Sequence, residues 1–288
     1  MAISERDLAA LEAGLDALEQ PAAPPRSRAR RVAAVSVPPV LALAVLLSIW
    51  QMLVTLHVKA PELLPAPIDV ARTFSDQWRA GHVTEVIWNS LHRAAIGYAM
   101  AMVLGTLTGL AVSRFRSLRL AIGPLLSGLQ SLPSVAWVPF ALLWFGLSDG
   151  AIYFVVVMGA FPSISNGLVA GIDQIPPLLL RVGDAMGAKG LARYRHIVLP
   201  GALPGYLAGL KQAWSFSWRS LMAAELIAQS PDLGLGLGQL LHNGQDLLDM
   251  SLVLTAIGLI LVVGIAVDVL VFAPLDRAVR RRRGLITS

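Results

Sequence analysis

The stretch Ser-Leu-Val-Leu-Thr-Ala-Ile-Gly-Leu-Ile-Leu-Val-Val-Gly-Ile-Ala-Val-Asp-Val-Leu-Val-Phe-Ala, from Ser251 to Ala273, contains one charged residue, Asp268. A helix of about 20 mostly apolar residues is long enough to cross a hydrocarbon core of about 30 Å. Lipid offers no hydrogen-bonding partner to the backbone, so a run of this length crosses it as a helix. The alternating pattern of a barrel strand is absent. The stretch therefore predicts an all-α membrane protein.

Similar runs recur along the chain, in which 56% of the residues are apolar and 14% are charged. Their number predicts a polytopic membrane protein with six transmembrane helices. The approximate bounds of these helices are Val32 to Leu56, Ser90 to Val112, Leu118 to Leu147, Ala151 to Gly171, Gly201 to Ala228 and Ser251 to Ala273.

Prolines lie deep inside the third and fourth runs. The third holds Pro124, Pro133 and Pro139, and the fourth holds Pro162. Each proline removes a backbone donor, so we expect kinks or breaks at these points. Such breaks either bend the wall of a pathway or improve packing, and the sequence leaves both uses open.

Cations are concentrated in alternate connections between the runs. Cytoplasmic segments of membrane proteins carry an excess of Lys and Arg, and one set of connections and termini here holds sixteen of them. The opposite set holds only Lys59, Arg72 and Arg79. Both termini and the loop between the fourth and fifth runs are therefore predicted to be cytoplasmic. The sixteen are Arg26, Arg28, Arg30, Arg31, Arg114, Arg116, Arg119, Arg181, Lys189, Arg193, Arg195, Arg277, Arg280, Arg281, Arg282 and Arg283.

The regions outside the core are predicted from composition. Leucines at helical spacing suggest a short amphipathic helix in the first residues, and the acidic start argues against a cleavable signal. This helix either touches the membrane or a partner, or is a dispensable appendage. The predicted regions are 1–31, a cytoplasmic amphipathic segment and linker; 32–56, the first transmembrane helix; 57–89, an external loop; 90–280, the core; and 281–288, a basic cytoplasmic tail.

Several chemistries are disfavoured by residue usage. There is no cysteine, and the five histidines are scattered without ligand spacing, so no metal site is predicted. The arginines lie at the ends of the apolar runs, where topology and anionic lipid explain them better than nucleic acid does. No Gly-x-x-x-x-Gly-Lys-Ser/Thr phosphate loop occurs. We therefore predict no catalytic residue and no cofactor bound by this chain.

A charged loop at about 176–200 separates the fourth and fifth runs. Prolines precede a helix-compatible segment from Leu178 to Ala185, and Gly187 permits a conformation that other residues resist. A helical pattern resumes at Leu191, and Pro200 is expected to start a new helix. The loop is thus predicted to form two short helices at an angle, whose small residues allow another protein to approach closely. These small residues are Ala185, Gly187, Ala188 and Gly190.

The spacing of Gly187, Ile197, Leu199 and Pro200 resembles the EAA motif of bacterial ABC importer permeases. The resemblance extends from about Ser90 to Arg280. In detail it is similar to the branch that serves aliphatic sulfonates, taurine and nitrate. The segments that carry this finer resemblance are Gln130-Ser131-Leu132-Pro133, Trp137-Val138-Pro139, Trp144-Phe145-Gly146, Phe161-Pro162, Leu199-Pro200-Gly201-Ala202-Leu203-Pro204 and Ala223-Ala224-Glu225.

One position departs from the family pattern. Permeases of this family usually carry Glu six residues before the glycine, where this chain has Arg181, and two alanines where it has Val182 and Gly183. The departure argues against transferring a specific glutamate contact to this chain. Asp184 is a candidate to supply a nearby negative charge.

The resemblance implies a transporter made of several chains. Two copies of this chain would line one pathway by alternating access in a bacterial plasma (inner) membrane, and two cytoplasmic ATPase subunits would supply hydrolysis with ATP and Mg. An external binding protein would deliver the substrate, with aliphatic sulfonate as first choice and taurine or nitrate as alternatives. The coupling residues on this interpretation are Arg181, Asp184, Ala185, Gly187, Ala188, Gly190, Ile197, Leu199 and Pro200.

The fifth run carries charges inside apolar sequence. Arg219 and Glu225 would each cost about 2.5 to 3.5 kcal/mol facing lipid, so we expect both to face protein or water. They are about 120° apart around the helix, which makes a direct ion pair between them awkward. Arg219 either attracts an anion in the pathway or is paired inside the bundle. For Glu225 we favour a structural hydrogen bond. The candidate pathway residues are Ser131, Trp214, Trp218, Arg219 and Glu225, with packing as the alternative for the tryptophans.

Two other classes of protein were considered. An ion-coupled carrier would need acidic residues or broken helices at mid-membrane, usually in internal repeats, and Asp268 is the one further acidic residue deep in an apolar run. We find no convincing internal repeat. A non-transporting scaffold would leave the kinked runs and the charged loop unexplained.

Overall fold

The computed structural model describes residues 28–230 and 233–282, and all regular structure in these ranges is helical. This confirms the all-α prediction. The predicted N-terminal amphipathic helix and the last residues of the basic tail lie outside the described residues. The chain divides into two units, Met1–Lys59 and Ala60–Ser288.

The first unit contributes one described helix, and the second unit contributes the remainder. The predicted external loop at 57–89 includes a helix of its own and the start of the next one. In chain order the α-helices are α1 Arg28–Thr55, α2 Pro67–Arg79, α3 His82–Arg114, α4 Arg116–Ser131, α5 Val138–Phe145, α6 Asp149–Asp173, α7 Pro177–Ala185, α8 Leu199–Ile227, α9 Leu237–Asp246, α10 Met250–Val267 and α11 Ala273–Arg282.

Four helical segments in the described residues are long and apolar enough to cross a membrane: Val37–Thr55, His82–Arg114, Asp149–Asp173 and Met250–Val279. Helices α4 and α5 supply a fifth if they form one broken span. With 29 residues, α8 is also long enough, but it is not among the sufficiently apolar helices because it carries three charges and several polar side chains. The predicted number of six is therefore reached only if both the bent pair and α8 cross the bilayer.

The prolines act differently according to their position. Helix α4 ends just before Pro133, and the two halves of the third predicted span are bent by 103° at this break. Pro139 lies in the first turn of α5, where a missing donor costs nothing. Helices α4 and α6 continue through Pro124 and Pro162 without interruption.

Helix α6 lies at the centre of the second unit, packed between α3 and α8. Its contact with α8 is a contact of backbones. A Cβ added to Gly167 would lie 2.5 Å from Cα of Gly209, and one added to Gly205 would lie 2.5 Å from Cα of Gly171. Small residues at a crossing let membrane helices approach closely, which strengthens their van der Waals contact.

A buried polar network joins four elements at the opposite end of α8. The side chain of Glu225 is 0% exposed, and its carboxylate lies 2.8 Å and 2.9 Å from the Ser90 hydroxyl and 3.2 Å from the Arg93 guanidinium. The Gly238 N–H donates to the same carboxylate at 2.9 Å. Arg93 also pairs with Asp149 at 2.8 Å and donates to a backbone carbonyl at residue 233. A buried charge is tolerated when it is paired and hydrogen-bonded as fully as this one.

The backbone contact predicts that Gly209→Ala destabilises the protein. The new Cβ would lie 2.7 Å from Cα of Gly167, so the helices must separate, at a cost of about 1–3 kcal/mol. Denaturant unfolding of the detergent-solubilised protein measures this. Gly123→Ala, where an added Cβ meets nothing within 4 Å, is the control and should not destabilise. Equal stability of the Gly209 variant and the control would contradict the close-approach model.

The buried network predicts strong coupling between Arg93 and Glu225. Arg93→Gln leaves the buried Glu225 carboxylate without a cation and should destabilise by about 3–5 kcal/mol, whereas Glu225→Gln leaves Arg93 paired with Asp149 and should cost less. The double variant should cost clearly less than the sum of the two, as a double-mutant cycle of unfolding free energies would show. Arg72→Gln, which removes the exposed pair with Asp69, should cost at most about 1 kcal/mol. Additive effects of the two buried substitutions would disprove the coupling.

Candidate functional site

The loop at 176–200 contains one helix and a tight turn. Helix α7 ends at Ala185, and the Ala188 N–H donates to the Gly183 carbonyl at 2.9 Å across the turn. Gly187 has φ of 80° and Gly190 has φ of 56°. Both lie in the left-handed region, which glycine adopts without the strain that a Cβ would bring. The residues at 184–187, which lead into the turn, are exposed.

After the turn, the chain differs from the prediction of a separate second helix. An α-helical turn Leu191–Arg193 and a π-helical turn Tyr194–Val198 lead directly into α8, so Pro200 does not start a new helix. The Leu199 N–H donates to the Tyr194 carbonyl, five residues back. This wider turn shifts the hydrogen-bonding register immediately before Pro200 and accommodates its missing donor. As a result, the helical backbone is uninterrupted from Leu191 to Ile227.

Two contacts tie α7 to this continuous helix. A Cβ at Gly183 would lie 1.9 Å from Cδ1 of Ile197, so the glycine in place of the usual alanine makes room for the isoleucine. Asp184 forms an ion pair with Arg193 at 3.1 Å. Asp184 therefore has a partner within the loop itself.

Helix α7 presents apolar side chains outwards. Leu178, Leu179, Val182 and Met186 are all exposed, with Met186 at 82%. Their spacing of three or four residues places them on one stripe. Sequence inspection stressed the small residues and missed this stripe, although the i, i+4, i+8 spacing of Leu178, Val182 and Met186 was visible. Most of the predicted loop residues are exposed beside this stripe: Arg181, Ala185, Gly187 and Gly190. Leu199 and Pro200, at the start of α8, are exposed as well. Ala188 and Ile197 are half-buried.

The two tryptophans proposed for the pathway are packed in the interior. Trp214 and Trp218 are 8% and 7% exposed, stacked on one another with ring centroids 6.1 Å apart. Tyr98 meets Trp214 edge-on at 5.5 Å, and the Trp218 indole N–H donates to the Ile260 carbonyl at 3.2 Å. Their contacts are those of core residues. Glu225 likewise has all its contacts in the buried network described above.

Arg219 lies on the exposed face of α8. Its guanidinium lies 4.8 Å from the ring centroid of Phe216, and its Nε donates to the Ser215 carbonyl at 3.1 Å. It forms no ion pair with any residue in 28–230 or 233–282. Ser131 is exposed at the end of α4, and its hydroxyl donates to Gly128 at 2.7 Å.

Further charged residues were missed in the sequence. Arg93 lies within the second predicted run and Lys211 within the fifth, yet the charges singled out inside the runs were Arg219, Glu225 and Asp268. The structure pairs Arg93 with Glu225 and Asp149, and Lys211 with Asp268 at 3.0 Å. A count of every charge inside the runs would have found both cations. Within the described ranges, no three His, Asp or Glu side chains gather as a metal-binding group.

Known proteins resemble this chain over most of its length. The taurine transport system permease protein TauC of Escherichia coli (strain K12) is 26% identical over 78% of this chain and 82% of its own length. SsuC of Bacillus subtilis (strain 168), named for the transport of aliphatic sulfonates, is 27% identical over 78% of this chain and 80% of its own. The nitrate import permease protein NrtB of Leptolyngbya laminosa is 29% identical over 82% of this chain and 85% of its own.

The fold also matches a solved transporter. A chain of the inward-facing MetNI methionine ABC transporter superposes with a TM-score of 0.59 at 19% identity, covering 67% of this chain and 94% of that one. The family model for the binding-protein-dependent transport system inner membrane component matches residues 101–281. The chain therefore belongs to this family, the membrane-embedded permease subunits of ABC importers.

Proposed function

We propose that two copies of this chain form the pathway of an ATP-driven importer for aliphatic sulfonates in a bacterial inner membrane, with both termini cytoplasmic. Two ATPase subunits, which use ATP and Mg, bind the loop at 176–200, and an external binding protein delivers the substrate. The observation that carries the proposal is the exposed apolar stripe on α7. An exposed apolar patch beside a polar loop is a common mark of a protein interface.

The loop is built to transmit displacement. The contact of Gly183 with Ile197 and the pair of Asp184 with Arg193 link α7 to the helix that continues into α8. Because that helix is unbroken from Leu191 to Ile227, a push on α7 moves α8 as a rigid element. Closure of the two ATPases on ATP would thus close the pathway inside and open it outside.

The substrate assignment is supported by chemistry shared among the relatives. Those described above are named for taurine, aliphatic sulfonates and nitrate, at similar identities of 26%, 27% and 29%. All three ligands carry an oxyanion group. Arg219 is an exposed cation without an acidic partner among the described residues, which suits an anionic substrate. Taurine and nitrate are therefore the alternatives within the same chemistry.

The ion-coupled carrier gains no support from the geometry. Asp268, the acidic residue considered for ion coupling, is paired with Lys211. Glu225 is buried and paired with Arg93. Both carboxylates therefore already have cationic partners, and neither offers a free acid for ion coupling.

Reconstitution tests the proposed function. In proteoliposomes the chain alone should take up no methanesulfonate, taurine or nitrate, while addition of the ATPase subunits, the binding protein and ATP should give uptake. The binding protein should be stabilised by its ligand, as thermal shift measures. Uptake by the chain alone would favour the carrier, and failure of the chain to bind any ATPase subunit would refute the proposal.

The turn predicts that Gly187→Val uncouples the transporter. An added Cβ at Gly187 meets nothing within 4 Å, so the harm arises from φ of 80°, which a β-branched residue resists, rather than from crowding. The variant should insert into the membrane but lose uptake and ATPase stimulation. Gly187→Asn is the matched control, because asparagine tolerates the left-handed region and should retain most of the coupling. Normal uptake and ATPase stimulation in the valine variant would show that the turn is not needed for coupling.

A further inference from the structure

A cleft of about 440 Å³ opens between α6 and α8 on the side of their glycine crossing. Its walls include Ser163 and Asn166 of α6 and Gln212 of α8, together with glycine and alanine backbone. None of the described residues that line it is charged. It extends along α6 towards Gln174 and along α8 towards Pro204, so it points to the end that carries the loop at 176–200.

The polar groups of this cleft are incompletely satisfied. Ser163 is 1% exposed, and its hydroxyl has no hydrogen-bond partner in the part of the chain that the structure describes. The side chain of Gln212 makes no hydrogen bond within the described ranges. Asn166 donates to Gln130 at 2.7 Å, which leaves the second amide proton of Asn166 and both of those on Gln130 available. Buried polar groups in proteins are normally paired, so an unpaired hydroxyl in the wall of a cleft points to a ligand.

Gln212, which lines the cleft, lies on the same exposed face of α8 as Arg219. Gln212, Ser215 and Arg219 recur at three- and four-residue spacing, and all three are exposed. Gln212 and Arg219 are seven residues apart, which is about 10 Å along a helix. A cation at this distance attracts an anion towards the cleft without forming a tight ion pair with it there.

Resting on the importer function proposed above, we infer that this cleft is a transient site for the oxyanion group of the substrate. Ser163, Asn166 and Gln212 donate hydrogen bonds to its oxygens, and Arg219 supplies long-range attraction. A transit site must bind well enough to admit the ion and weakly enough to release it. Neutral donors meet both conditions, because they hold the anion by hydrogen bonds without the added attraction of a full ion pair.

The first experiment compares two buried hydroxyls of the same kind. Ser163→Ala removes the unpaired hydroxyl of the cleft, and Ser217→Ala removes the unpaired hydroxyl of α8 that does not line it. In the complete reconstituted transporter, Ser163→Ala should lower methanesulfonate uptake about fivefold, the usual effect of one lost hydrogen bond. ATPase stimulation by the binding protein should be unchanged. Ser217→Ala should leave both quantities unchanged, and an equal loss in the two variants would overturn the proposal.

The second experiment introduces a negative charge at the exposed position Gln212. Gln212→Glu keeps the size of the side chain but repels an anion, so uptake of methanesulfonate, taurine and nitrate should fall at least about tenfold. Unchanged uptake in Gln212→Glu overturns the cleft assignment alone, provided that ATPase stimulation is normal. A wild-type complex that neither hydrolyses ATP nor imports any of the three anions overturns the importer function and the cleft together.

Discussion

The close crossing of α6 and α8 is the constraint on which the second unit depends. Gly167 and Gly171 face Gly209 and Gly205 with backbone against backbone. In lipid there is no hydrophobic gain from joining two helices, so their association rests on the van der Waals contact that small residues permit. The same crossing leaves no side chains to fill the space beside it. The cleft lined by Ser163 and Gln212 is therefore a direct consequence of the contact that holds the helices together.

Helix α8 has two ends of different character. Near Ile227 its carboxylate, Glu225, is fully enclosed by donors from α3 and from the Gly238 backbone. Further towards Leu199, the polar side chains of Gln212 and Arg219 are exposed and lack such enclosure. A saturated network resists rearrangement, because breaking it exposes a buried charge. The first end is thus suited to anchor the helix, and under the proposed function the second end would meet the substrate while the loop at 176–200 transmits the movement.

The sequence predicted local features well and distant partners poorly. Apolar run length indicated the helices, and the break at Pro133 followed from the missing donor of one residue. The continuity through Pro200 was not predictable, because a π-helical turn at Tyr194–Val198 shifts the hydrogen-bonding register before it. Arg93 and its partners could not be matched from sequence, since Glu225 lies on another helix and only the fold brings them together.

The loop, the cleft and the cations of α8 together explain why a permease would use an unpaired arginine. Lys211, three turns or so from the start of α8, is neutralised by Asp268, whereas Arg219 retains its charge on the exposed face. Two unpaired cations close together would hold an anion too firmly for rapid release. A single unpaired cation near a cleft of neutral donors would attract the anion and still allow it to dissociate. A substrate delivered by a binding protein needs no tight site here, because its selection has already taken place outside the membrane.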